Sequence, residues 1–419
     1  MERTVGTDSG RAGHVIFISR QRLVGAINGS SAYLIDLARA VRGAGLVPHL
    51  LQPSPDVAGR WPVLSMRPEM KVFQTHAIRG LVRIGRHRVS LRPQVYASLA
   101  MAVLRAVARK VGARGAWTID VPMPYAIAQP WVSRDHAWLH RAARSCVASG
   151  DGLTAVADYM FCAPGFADLP DCPTAIVMHD LFHAREGGGS DSVALVDRDT
   201  ELALLGRADA VIAIQAGEAA FLKREVPQVR TILAPLATQT VAATQPGEDD
   251  RLLFVASNTA PNVVGLQWFA EHVWPLLRAA RPAIQLDVAG NVGRAFSSAP
   301  AEGIRLLGYV DKMDELYASA GIVISPLTFG SGLKIKLIEA LGKGKAIVAT
   351  PVTLQGVEEV CAGAVRVAPE PEAFAAHILE LASDRSARAR LGERALETAN
   401  RHFGADRCYG DFVDWLRNA

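Results

Sequence analysis

Residues 324–350 read ISPLTFGSGLKIKLIEALGKGKAIVAT. An apolar run ends at Pro326, a Gly330-Ser331-Gly332 loop follows, an amphipathic stretch carries the chain away, and Gly342-Lys343-Gly344 turns it into a second apolar run. This is strand, loop, helix, tight turn and strand, the unit from which parallel sheets are wound. Ile335, Ile338 and Leu341 share one face of the expected helix, while Gly332, Lys336, Glu339 and Lys343 share another. The first face packs; the second is open to a ligand. Amides at the helix start favour a diphosphate at Ser331, Gly332 and Leu333, with positive charge added by Lys334 and Lys336. Glu339, two turns on, can accept from a pair of vicinal hydroxyls. That combination suits a nucleotide sugar. A second reading leaves the helix as a solvated face, with Glu339 paired to Lys336 and Lys343 at i−3 and i+4.

Short apolar runs alternate with helix-period segments along the rest of the chain. Strands are expected at 14–19, 46–51, 116–120, 174–178, 210–214 and 229–233, then at 252–256, 284–289, 304–307, 321–325, 346–350 and 364–367. Between the two sets, residues 236–250 are rich in Thr, Gln and Ala, contain Pro246-Gly247 and end in three acids, with neither periodicity. The fold class is α/β: two Rossmann-like, doubly wound parallel-sheet domains facing an interdomain cleft. Domain one spans 1–238, the linker 239–250 and domain two 251–402, with a C-terminal helix at 403–419 returning to domain one.

Composition narrows the function classes. Half of the 419 residues are hydrophobic and about a fifth charged, which excludes disorder, collagen-like repeats and coiled coil. No stretch approaches the ~18 apolar residues of a membrane span, and the polar first residues do not resemble a leader. Five cysteines without a C-x-x-C pair argue against a disulfide framework or a zinc site. Charge is uneven: twelve basic residues and only Glu69 as an acid lie between Arg60 and Arg114. That segment carries +11, so the remainder must carry −7 for the chain to total +4. An anionic partner near the first domain is implied.

Two further places carry chemistry. The first expected strand leads into Val24-Gly25-Ala26-Ile27-Asn28-Gly29-Ser30-Ser31, a glycine turn at a helix start that suits an anion or a closely approaching sugar at Gly29 and Ser30, or serves only as a connector. The strand at 174–178 ends at His179-Asp180, where a cleft should lie, although such a histidine is as readily structural. Asp197 and Asp199 form a D-x-D, but within an expected helix i and i+2 diverge, so no metal is assigned. Glu201 and Glu218 read as structural.

The chain resembles the retaining glycosyltransferases of family 4 and their relatives with the GT-B fold. Relatives carry two glutamates separated by seven residues at this loop and helix; the second, on the donor ribose, corresponds to Glu339, while the first, on the donor sugar, falls on Ser331. Lys334 and Lys336 resemble the variant of exopolysaccharide-type members. Further matches are Asn262 in Ala260-Pro261-Asn262, the Val288-Ala289-Gly290-Asn291 turn, Leu307-Gly308-Tyr309-Val310, whose backbone at Tyr309 and Val310 accommodates the base in relatives, and Gly356-Val357-Glu358. The usual Arg-x5-Lys diphosphate clamp is absent, since 257–266 contains no base, and that role shifts to Lys334 and Lys336. In relatives a histidine at the position of His179 faces the donor sugar, with Asp180 placed to orient its loop or touch the acceptor.

The resemblance implies a metal-independent hexosyltransferase with no cofactor, taking a nucleotide-diphosphate sugar on domain two and a glycan or polyprenyl-diphosphate-linked acceptor on domain one. Catalytic roles fall to His179, Lys334 and Asp180. The basic segment, where Arg79, Arg83, Arg86 and Arg88 interleave with apolar residues, suits an anionic membrane rather than nucleic acid, because it lacks stacking aromatics. The expected location is the cytoplasm, peripheral at the inner face of the cell membrane, in polysaccharide or glycolipid assembly. Alternatives are a nucleotide-sugar epimerase, a phosphorylase or a non-catalytic sugar-binding subunit. A nicotinamide dehydrogenase is disfavoured because no G-x-G-x-x-G follows either first strand.

Overall fold

The computed structural model describes residues 13–59, 61–110, 126–148, 150–184, 196–296, 301–330 and 333–419. Its strands in chain order are β1 (Gly13–Ile18), β2 (Val47–Gln52), β3 (Val63–Ser65), β4 (Thr75–Ile78), β5 (Leu81–Ile84), β6 (His87–Ser90), β7 (Gly152–Asp158), β8 (Thr174–Met178), β9 (Ala210–Ala213) and β10 (Arg230–Leu233), followed by β11 (Arg251–Val255), β12 (Gln285–Ala289), β13 (Ile304–Gly308), β14 (Ile322–Ser325), β15 (Ala346–Ala349) and β16 (Arg366–Val367). The first ten include a parallel sheet of order β10-β9-β8-β7-β1-β2-β4; the last six form another of order β13-β12-β11-β14-β15-β16.

Apolar runs rather than alternation mark these strands because both sheet faces are covered. In β1, Val15 and Phe17 enter one core with Leu34 and Leu37 from the helix Gly29–Gly43, while Ile16 and Ile18 enter the core on the opposite face with Leu139. Leu252 and Phe254 of β11 diverge from Leu253 and Val255 in the same way.

The chain crosses between domains twice. Segment 236–250 is not a free tether: Lys345 Nζ donates to Gln245 O at 2.6 Å and Arg388 Nε to Pro246 O at 3.2 Å, fastening it to the second domain. After the helix Arg385–His402, the helix Ala405–Asn418 places Cys408, Phe412 and Trp415 in the core that holds Phe17. Its Tyr409 Oη accepts from Ala237 N at 3.1 Å.

Two regions differ from the sequence expectation. Opposite β2, the strand beside β1 in the described residues is β7, whose single Leu153 and Val156 give it a weak apolar signal; the expected strand at 116–120 lies outside the described residues. The basic segment folds into β3 to β6, three of which make a separate antiparallel sheet of order β3-β6-β5, and the helix Pro93–Lys110. Arg79 and Arg88 are not on an outward face. Arg79 Nη2 pairs with buried Asp135 at 2.5 Å, and Arg88, itself buried, donates to His76 O at 3.1 Å. Arg83 and Arg86 are exposed. Among the described residues no helix is long and apolar enough to cross a membrane.

Candidate functional site

Each parallel sheet reverses its strand order once, at β1/β7 and at β11/β14, and open parallel sheets hold ligands outside such reversals. At the first, β7 ends in fully buried Asp158. Its Oδ2 accepts from Ser19 Oγ and Gln21 Nε2, both at 2.6 Å, and its Oδ1 lies 2.8 Å from His179 Nε2. Ser30 Oγ donates to Gln21 Oε1 at 3.0 Å, so the glycine turn joins the same network. Tyr159 follows Asp158 at φ 67 and ψ 152, a region nearly reserved for glycine that costs on the order of 1–3 kcal/mol. The turn lays its ring over His179 at 4.2 Å between centroids, while Tyr33 meets the same imidazole edge-on at 5.8 Å.

Beyond His179, the loop is pinned by Glu201, which is buried and accepts from Phe182 N and His183 N at 2.9 Å and is 2.7 Å from His183 Nδ1. Glu218, near the start of the helix Ala216–Glu225, is pushed up to about 8 by burial and then by the Asp180 carboxylate. Asp197 caps the helix Arg198–Leu205 by accepting from Thr200 N at 2.9 Å.

The second domain supplies the opposite wall. The helix Ile335–Gly342 begins after Lys334, whose side chain does not cap it; Lys334 O instead accepts from Leu337 N at 2.9 Å. Lys334 is lowered to about 8 by burial, and the Asp180 carboxylate across the cleft works against that shift. Leu333 packs against cores of both domains. Gly29 lies where a β-carbon would come within 2.3 Å of Ile335 Cδ1, so a side chain there would push the walls apart. Glu339 sits 2.5 Å from Lys336 Nζ, whereas Lys343 Nζ pairs with Asp314 at 2.7 Å. The hydroxyl of buried Tyr317 is raised well above its usual value by burial and the nearby Glu339. Tyr309 is exposed and receives Arg67 from the first domain, by a 3.1 Å hydrogen bond and a guanidinium 5.4 Å above its ring.

The architecture aligns over nearly its whole length with solved structures of one fold. Sucrose-phosphate synthase from Thermosynechococcus elongatus superposes with a TM-score of 0.59 at 16% identity, covering 97% of this chain and 98% of that one. The fold is GT-B. Anabaena HepE, solved in complex with UDP, gives a TM-score of 0.58 at 12% identity over 97% of this chain and 100% of its own. Residues 249–384 match the family Glycosyl transferases group 1. A protein of 44.6 kDa from a cps region of Klebsiella pneumoniae is 27% identical over 139 residues, which is 30% of this chain and 36% of that one.

Within the GT-B frame, the structure brings His179, Asp180, Lys334, Leu333, Gly29 and Ser30 to the cleft. Ser331 and Gly332 lie outside the described residues. Lys336 is half exposed beside Glu339. Tyr309 reaches the cleft through Arg67, and Val310 packs partly into the second domain's core. Asn262 spends its amide locally, donating to Ser257 O and Thr259 Oγ1 at 3.0 and 2.9 Å. A groove of about 780 Å³ lies between the helices Gly29–Gly43 and Ala405–Asn418, and among the described residues it meets the predicted site only at Glu339. Sequence reasoning missed Asp158, Tyr159 and the role of Arg67. The signal that could have found the first two was an acid followed by an aromatic just after the short run Leu153-Thr154-Ala155-Val156-Ala157.

Proposed function

We propose that the protein is a glycosyltransferase that moves a sugar from a nucleotide-diphosphate donor to a glycan or lipid-linked oligosaccharide acceptor, with retention at the anomeric carbon. The observation that carries this reading is Lys334: a half-buried cation of the second domain, at the start of a helix, facing Asp180 and the adjacent His179 of the first domain across a GT-B cleft. Departure of the diphosphate leaves charge on its oxygens, and the groups this chain offers to that charge are the amides at the helix start, Ser331 and Gly332 before it, Lys334 and Lys336. The donor bond from anomeric carbon to phosphate oxygen breaks, the acceptor oxygen forms its bond on the same face, and its proton passes to the departing phosphate. Glu339 holds the ribose, exchanging Lys336 for the hydroxyl pair, and the base lies by Tyr309 and Val310. Closure of the two domains keeps water from competing.

The likeness to HepE, solved with UDP, makes UDP-sugars the first donors to try, and the relative from a cps region supports polysaccharide or glycolipid assembly. Exposed Trp61, Val82, Ile84, Leu91, Met101 and Leu104 concentrate in the segment that also exposes Arg83 and Arg86, which favours a peripheral position on the anionic inner face of the cell membrane, where a polyprenyl-diphosphate acceptor would arrive. A thermal-shift panel of UDP-, GDP-, ADP- and dTDP-sugars tests the reading, since a ligand at one hundred times its Kd adds ~2.7 kcal/mol. The stabilising donor is expected to be hydrolysed slowly without acceptor. Stabilisation with no hydrolysis would leave a non-catalytic sugar-binding subunit, and no stabilisation by any donor would sink the proposal.

A further inference from the structure

The first domain's cleft wall contains a buried acid whose surroundings organise it toward one partner. Asp158 is fully buried, and its two oxygens meet three groups: Ser19 Oγ and Gln21 Nε2 at 2.6 Å on Oδ2, His179 Nε2 at 2.8 Å on Oδ1. Ser19 Oγ in turn accepts from Gln21 N at 3.2 Å, and Ser30 Oγ reaches Gln21 Oε1 at 3.0 Å. The network therefore runs from the start of the helix Gly29–Gly43, beneath the cleft, to the imidazole. A carboxylate accepts and does not donate, so the ring nitrogen facing it carries the proton. The strained backbone of Tyr159 and the edge of Tyr33 hold the ring plane from either side.

We infer that Asp158 is a positioning residue for sugar transfer: it fixes His179 in the tautomer with hydrogen on Nε2, which leaves Nδ1 as an acceptor for a hydroxyl of the bound sugar. The inference rests on the glycosyltransferase reading for the identity of that sugar, but the tautomer itself does not. In Asp158→Asn the amide can still accept from Ser19 and Gln21 through its oxygen, while its NH2 faces His179 and drives the ring proton to Nδ1, turning the acceptor into a donor.

The test begins with the wild-type protein labelled with ¹⁵N in histidine, its His179 signals assigned by their loss in His179→Gln. Protonated Nε2 and bare Nδ1 are expected; the opposite tautomer overturns the inference even if every variant fails to fold. Asp158→Asn should exchange the two nitrogen signals and lower the turnover of donor hydrolysis by on the order of 10² with little change in donor KM, the range of a misdirected catalytic proton. Placing Asp158→Asn in the His179→Gln background should cost nothing further in turnover, because the acid acts through the ring. A full additional loss there means that Asp158 only supports the fold. If the tautomer is as expected and no nucleotide sugar binds, the positioning stands and the glycosyltransferase reading fails.

Discussion

The two walls of the cleft are built on the same strand arrangement and finished in opposite ways. On the first domain, polar groups are turned inward upon one another: Asp158 at a strand end is saturated by Ser19, Gln21 and His179, and Glu201 on a helix by the backbone and ring of the loop after β8. On the second, groups are left facing outward: a helix start that the Lys334 side chain does not cap, half-exposed Lys336 with Glu339, and exposed Tyr309. A satisfied buried network keeps its geometry without a ligand, whereas open amides and surface ion pairs acquire a partner at little cost. The first wall is thus prepared for orientation and the second for capture. Lys334 belongs to the second wall by sequence and to the first by electrostatics.

The largest effect expected from this contrast is in Lys334→Ala, which should lower turnover by about 10²–10³ while changing donor affinity far less, because charge on the diphosphate grows as the bond breaks. Equal losses in both would make Lys334 a capture group like its neighbours. Glu339→Ala should weaken donor binding by about 1–3 kcal/mol and leave thermal stability nearly unchanged, since the ion pair it gives up is at the surface. Unaltered donor affinity, read by calorimetry, would return Glu339 to a solvated pair with Lys336.

Outside the cleft, replacing both Arg83 and Arg86 by glutamine should weaken binding to anionic vesicles by about 2 kcal/mol, with ~1 kcal/mol from each exposed base. Arg79→Gln should act instead on stability, through Asp135. Indifference of the wild type to vesicle charge would remove the membrane from the picture. The smallest effect is a displacement of a pH limb. Lys334 loses its proton as pH rises through about 8, and Glu218 gains negative charge through about the same value, so both changes strip positive charge from the cleft and turnover should fall above that pH. Asp180 holds the Lys334 proton on, so Asp180→Asn should move the limb to lower pH. A limb that stays in place would separate the two walls electrostatically.

What was legible in the sequence follows the physics of each region. Domain two could be read almost strand by strand, because β11, β14 and β15 are short apolar runs rich in Leu, Ile and Val, and β8 was legible for the same reason. The stretch from β3 to β7 was not: strands of three or four residues lack room for a period, and in β7 Leu153 and Val156 are separated by Thr154 and Ala155, so its burial is decided by the neighbours β1 and β8. The site divides likewise. His179 and Asp180 stand just past the end of an apolar strand and Lys334 just before a helix, ends that sequence pattern locates. Asp158 and Arg67 acquire meaning from partners up to 139 and 242 residues away, and no local periodicity carries that information.

The helix Ala405–Asn418 sets a timetable. A ribosome makes residues 13–238 first, yet Phe412 and Trp415, which close the core around Phe17, emerge only after all of domain two. Until then the first domain exposes an apolar slot along the helix Gly29–Gly43, the kind of surface that chaperones hold and that aggregates when left open. Domain two, made later, is the one that can finish first. In this chain the order of synthesis and the order of completion are reversed.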